Sequence, residues 1–496
     1  MGTYKASLFN YLFNSVNAVI MIVNGIVLVP IYFHYMSVST YGAWLATGNV
    51  VAMLGLIESG FASVITQKMS VSIVNNDDVQ FRKQAGANII TAILFASVIL
   101  ISGLAISPFV ADWVNVDASD SGAIRLAFIV ALIASCISIM VSLFGAFPQV
   151  WQDTKTVGII NTVSSLVAIA SLVSFLLLGF GVVSIALSYL VRACINLIFQ
   201  GLWILRNWHS RGLLTPLFDY SSVKDLFKAC IYPFLSKLSG VFMGHSQSFI
   251  IASFMNPALA AVYDITTKVC TVACTFVSQF NGSFFALFSL TMATKDRDKI
   301  NDVFKKTSTF FLVSLLAVGL YSMCFSEPII RYWVGLDKFG GALLLAIAVF
   351  AKIVSQIRSY LNNIIYTGGL INKSAKLDIL CMAVYLLILF IIIKNTQVYA
   401  IPIATALSCL IFLVWYLRIL KNDLHIDVKA IIRIALKGFM LIAPFLLVHF
   451  VLHLDYNNII LYGLYFIIFS VVYCVVVYYT NKDIINLFID RIHHRK

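Results

Sequence analysis

Apolar runs of about twenty residues alternate with short polar breaks along the whole chain. A helix of about 20 apolar residues crosses a hydrocarbon core about 30 Å thick. The pattern therefore predicts fourteen membrane spans. The first six are Leu8–Phe33, Gly42–Gln67, Gln84–Phe109, Ile124–Phe147, Gly158–Leu178 and Val182–Leu205. The next six are Ala229–Phe254, Ala258–Phe285, Thr307–Phe325, Ala342–Tyr366, Leu377–Ile393 and Ile401–Leu420, and the last two are Gly438–Leu454 and Ile459–Tyr479. The longest break, 206–228, separates six spans from eight. Within it, SSVKDLFKA sets Ser222 and Asp225 at capping-box spacing and predicts a short interfacial helix leading into the seventh span. The expected organisation is an all-α membrane protein. Residues 1–205 form a six-helix bundle, 206–228 a cytoplasmic linker and 229–420 a second six-helix bundle; 421–496 add two helices and a cytoplasmic tail.

Composition agrees with that reading. Of 496 residues, 61% are hydrophobic and 11% charged, more apolar surface than a soluble domain can hide. The formal net charge of +13 would suggest nucleic acid on a soluble protein. Here the basic residues sit mostly in loops, and nucleic acid is not an expected partner. With the N-terminus in the cytoplasm, most of the 34 Lys and Arg fall on the cytoplasmic side, including Arg82, Lys83, Arg206, Lys305 and Lys306. The outer loops carry Asp112, Asp117, Asp120, Glu327, Asp337 and Asp455. This asymmetry predicts that both termini are cytoplasmic. The nine cysteines lie in apolar spans without a CxxC pair and read as small buried hydrophobes. The first span has no cleavage site after it and is expected to be retained.

Polar residues inside the spans fall into stripes. Ser188, Arg192, Asn196 and Gln200 are four apart on the sixth span and share a helical face. The first span carries Asn10, Asn14, Asn17 and Asn24, which inter-helix hydrogen bonding would also explain. The tenth has Lys352 and Gln356 beside Arg358, the eighth Asp264 and Lys268, and the seventh Lys237 and His245. The second holds Glu58. Five deep cations (Arg192, Lys237, Lys268, Lys352 and Arg358) face two acids, Glu58 and Asp264. Each central charge costs about 2.5–3.5 kcal/mol to insert. Two carboxylates cannot neutralise five cations, which points to an anionic cargo in a wet cavity. Competing readings stay open: Asp264 and Lys268 are spaced to pair with each other, and Lys237 and Arg358 could reach the cytoplasmic interface. His449 and His453 are two histidines without further ligands and predict no metal site.

The run FNSVNAVIMIVNGIVLVPIYFHYMSVSTYGAWLATGNVVAMLGLIESGFASVITQKMS, with Tyr41–Gly42 and Gly55, Leu56 and Gly60, resembles the bacterial oligosaccharide flippases of the polysaccharide transporter family. SFIIASFMNPALAAVYDITTKV resembles the join between spans seven and eight in that family. Tyr41 and Gly60 have the same spacing as Tyr263 and Gly282, a weak sign that six spans repeat as six. The resemblance implies a fold similar to multidrug and toxin extruders, two six-helix bundles about a central cavity. It implies no enzymatic activity and no cofactor beyond a coupling proton or sodium ion, for which Glu58 and Asp264 are candidates. The implied substrate is an undecaprenyl-diphosphate-linked oligosaccharide such as an O-antigen repeat unit. It would be turned from the cytoplasmic to the periplasmic leaflet of the inner membrane, with a polysaccharide polymerase and a chain-length regulator as partners. In this picture the five cations meet the diphosphate. The four asparagines of the first span, with Asn196 and Gln356, meet sugar. A multidrug exporter and a membrane polymerase or ligase are the alternatives. The basic cavity argues against the first, and the short outer loops against the second.

Overall fold

The apolar runs fold as helices because only a helix satisfies every backbone donor and acceptor within one segment. The computed structural model describes residue 20 and residues 25–54, 61–151, 153–210, 216–293, 296–452 and 459–480, and among them the regular structure is all helical. The chain runs through α1 Gly25–Tyr35, α2 Val38–Leu54, α3 Phe61–Val74, α4 Asp78–Ile106, the single turn α5 Val110–Trp113 and α6 Ala118–Phe144. There follow the short α7 Ala146–Val150, α8 Thr154–Leu177, α9 Val183–Ser210, α10 Tyr220–Phe254, α11 Pro257–Ala293 and α12 Arg297–Trp333. The remainder are α13 Ala342–Thr367, α14 Ile371–Thr396, α15 Ala400–Asn422, α16 Lys429–Leu452 and α17 Ile459–Thr480. Each predicted span overlaps at least one of these helices; Gly42–Gln67 overlaps α2 and α3, and Ile124–Phe147 overlaps α6 and the start of α7. By length and apolar composition, 8 described helices can cross a membrane, or 9 if the bent α10 counts as one span; α1, part of α3, and segments of α16 and α17 are shorter apolar helices. The protein is a multi-pass membrane protein.

Aspartates start several of these helices. Asp77 accepts from the Gln80 N–H (2.9 Å) before α4, and Asp153 from the Thr156 N–H (3.3 Å) before α8. Asp219 accepts from both the N–H and the hydroxyl of Ser222 (3.1 and 2.7 Å) before α10. Asp296 accepts from the N–H groups of Asp298 and Lys299 (3.1 and 3.2 Å) before α12. A carboxylate there satisfies donors that the first turn leaves open and meets the positive end of the helix dipole. The linker helix thus begins one turn earlier than expected, capped by Asp219 and not by Ser222. It bends by 50° at Pro233, where the ring removes an N–H from the ladder.

Two compact units divide the chain, the first comprising Met1–Ile265 and Ile371–Ala404, the second Thr266–Leu370 and Thr405–Lys496. In the first, α6 packs against α4 and α9, α8 against α9, and α10 against α2 and α14. Phe61, Ile65, Met69, Phe95, Leu143 and Phe147 are part of its core. Lipid is as apolar as leucine, so close backbone approach and polar bonds, not burial from water, hold such helices together. Gly42 supplies one such approach, since a Cβ there would overlap the Pro257 carbonyl, and Gly86 supplies another against the Leu217 carbonyl. In the second unit α12 packs against α13 and α16. Phe325 of α12 stands among the rings of Tyr462, Phe466 and Phe469 of α17, at 5.8, 4.8 and 5.5 Å between centroids. The Tyr462 hydroxyl donates to the Cys324 carbonyl at 3.0 Å.

Candidate functional site

The polar groups of the spans are taken unit by unit. In the first unit, α9 carries its polar stripe on a face turned into the unit's own interior: Ser188, Asn196 and Gln200 are buried and Arg192 is half-buried. The Asn196 side-chain amide donates to the Arg192 carbonyl at 3.1 Å. Lys237 is exposed on α10. One residue before it, the Ser236 hydroxyl donates to a buried Asp378 oxygen of α14 at 2.6 Å. His245, two turns further along α10, is exposed and has its Nδ1 3.0 Å from the Asn49 side-chain oxygen of α2. Asp264, near the start of α11, is half-buried and lies within electrostatic reach of Tyr41.

In the second unit, Lys268 of α11 and Lys352 and Gln356 of α13 are half-buried. Lys352 lies within electrostatic reach of Cys270 and Cys274, whose sulfurs are 4.0 Å apart. Arg358 is buried and donates from one guanidinium nitrogen to the Tyr416 hydroxyl of α15 at 3.3 Å. Asn10, Asn14, Asn17, Asn24 and Glu58 lie outside the described residues.

Among the described residues, none of Arg192, Lys237 and Lys352 enters an ion pair. The ion pairs there are local ones such as Lys306–Asp302 and Arg331–Glu327, each four residues apart on α12. A fixed cation without a counter-charge in a low-dielectric setting attracts an anion by about 4 kcal/mol at 4 Å when the effective dielectric is about 20. Among the described residues no group of three or more His, Cys, Asp or Glu could hold a metal ion. Asp378 is the residue that sequence reasoning missed. It stands one position inside a predicted span, where it reads as a loop acid, and its partner Ser236 is 142 residues away.

Solved structures share the fold. The lipid II flippase MurJ, in an inward closed conformation, is similar with a TM-score of 0.69 at 11% identity, over 97% of this chain and 100% of that one. An inward-facing multidrug resistance MATE family transporter of the MOP superfamily is similar with a TM-score of 0.62 at 14% identity, over 88% of this chain and 95% of that one. Its outward-facing counterpart gives 0.57 at 15% identity, over 89% and 95%. Comparison with curated proteins gives no match. The family model for a polysaccharide biosynthesis protein matches residues 35–337. That match covers more than half of the chain, and the protein belongs to the polysaccharide biosynthesis protein family.

Proposed function

We propose that the protein is a flippase, not an enzyme, that moves an undecaprenyl-diphosphate-linked oligosaccharide from the cytoplasmic to the periplasmic leaflet of the inner membrane. The observation that carries this reading is the set of cations Arg192, Lys237 and Lys352 without ion pairs among the described residues. Each would repay its insertion cost by meeting the diphosphate. Lys268 adds a fourth cation, and Arg358 adds its field from its seat on Tyr416. Family membership and a fold shared with a lipid II flippase support a lipid-linked glycan as the cargo. Transport works by alternating access and is coupled to a proton or sodium ion, with Glu58, Asp264 and the buried Asp378 as candidate carboxylates. Both termini are cytoplasmic, and the flipped glycan passes to a polysaccharide polymerase and its chain-length regulator.

The test is the double substitution Arg192→Ala with Lys352→Ala in cells that depend on this protein for surface glycan. Loss of surface glycan with normal amounts of inserted protein is expected. Normal glycan would overturn the assignment of these cations. Ethidium efflux in the same cells separates export of organic cations, which a fold shared with multidrug transporters also permits.

A further inference from the structure

Helix α16 begins with three cations in a row, Lys429, Arg433 and Lys437, each four residues from the next and each exposed. Among the described residues their side chains enter no ion pair and no hydrogen bond. The helix carries no acid from Lys429 to Leu452. Asp427, just before it, accepts from the Lys429 N–H at 3.0 Å and gives its own N–H to the Asn301 side chain of α12 at 2.8 Å.

The seating of α16 fixes which way this row faces. Gly438 lies against Leu316 of α12, where an added Cβ would overlap the leucine side chain. Ile442 and His449 continue the buried side, and Phe445 packs beside them. Lys429 and Leu447 each lie nine residues from Gly438, which is about 180° round a helix. The face opposite α12 therefore has two halves. Lys429, Arg433 and Lys437 occupy the first, and Leu436, Met440 and Leu447 run on into the second, with Met440 74% and Leu447 66% exposed.

The row also climbs. Eight residues at 1.5 Å each carry it about 12 Å along the axis. Leu316 is the midpoint of the Thr307–Phe325 apolar stretch, so Lys437, next to Gly438, is rooted at mid-depth of that stretch. Basic residues that only set orientation belong at the ends of a span. A cation rooted this deep on an exposed face has to reach back to the interface or meet an anion.

We propose that this face of α16 docks an acidic phospholipid of the leaflet in which the helix begins. Its phosphate sits among Lys429, Arg433 and Lys437, and an acyl chain lies along Leu436, Met440 and Leu447. Cations at one end and apolar side chains at the other match an amphiphile with an anionic head. A zwitterionic head would bring its own cation against the row. The docking does not depend on what the protein transports.

Native mass spectrometry of the full chain, released from micelles doped with phosphatidylglycerol and phosphatidylethanolamine, tests the preference. The native protein is expected to retain phosphatidylglycerol several-fold over phosphatidylethanolamine, and Arg433→Gln/Lys437→Gln to lose that preference. Lys224→Gln/Lys228→Gln removes two exposed cations from α10 instead and is expected to keep it. All four side chains are exposed, so both variants keep the fold. Equal retention of the two lipids by the native protein overturns the proposal. So does an equal loss in both variants, which would show net charge alone at work, and so does displacement of the lipid by millimolar inorganic phosphate, which would show a site for free anions. Met440→Trp reads the position. Its added fluorescence in nanodiscs is expected to be quenched more by phosphatidylglycerol with brominated chains than by brominated phosphatidylethanolamine, and equal quenching overturns the placement on α16.

Discussion

Ser236 donates its hydroxyl to the buried carboxylate of Asp378 at 2.6 Å and so joins α10 to α14 within the first unit. A bond to a carboxylate in this setting is worth about 1–2 kcal/mol, between the values for charged bonds in soluble proteins and those for polar bonds in membranes. Ser236→Ala is expected to lower the unfolding temperature in detergent, and Ser236→Thr, which keeps the hydroxyl, to lower it less. Equal losses would mean that packing and not the bond matters at this position.

Gly42 lets α2 come close against the start of α11. Gly42→Ala would press a methyl into the Pro257 carbonyl and is expected to cost about 1–3 kcal/mol. Gly122 on α6 has nothing within 4 Å of an added Cβ. Gly122→Ala should be neutral or stabilise by up to about 1 kcal/mol, since alanine is the better helix former. Side-by-side melting curves decide whether close approach, and not glycine content, holds α2.

Phe325 anchors α17 to α12 through rings from three of its turns. Phe325→Ala removes a buried aromatic side chain and is expected to cost about 3–5 kcal/mol in the second unit. The local sign would be faster proteolysis in the 423–428 connection before α16, with the first unit's connections unchanged. Uniformly faster cleavage would instead indicate a cooperative fold.

Asp219 is half-buried, and the Ser222 hydroxyl and then the Ser222 N–H hold its carboxyl below the usual carboxylate range, with Lys83 adding to the effect. A lowered folded value means that the cap contributes in full above the unfolded value, which is about 3.9. The contribution is lost as pH falls through the folded value. Asp219→Ala should therefore lose stability at neutral pH and lose less at pH 3. Asp219→Asn, still a good cap, should lose little at neutral pH. Limited proteolysis of the linker across this pH range checks both.

How much of this was legible in the sequence follows from what hydropathy measures. The apolar runs located α4, α6, α8, α9, α13 and α15, because each is apolar for nearly its whole length. The same reading shortened α12 from the 37 residues of Arg297–Trp333 to Thr307–Phe325. Its polar first turns carry the Lys306–Asp302 pair and are good helix formers, yet hydropathy counts them as loop. The stripe on α9 was visible from its spacing. That its neutral members turn into the first unit was not, because that depends on how α6 and α8 cover the helix. Asp378 escaped notice for the reason its partner explains: no local pattern marks an acid whose hydroxyl donor lies on a distant helix.

The two units alternate along the chain, with the first interrupted after Ile265 and resumed at Ile371. A ribosome making this protein from its N-terminus cannot release a finished first unit early. Helix α10 emerges with its α14 face bare and must wait for more than a hundred further residues before Asp378 arrives to meet Ser236. During that interval insertion machinery or a chaperone has to shield a polar hydroxyl face within the bilayer. Truncations ending near residue 370 should accumulate bound to such factors, while those ending beyond residue 404 should be set free.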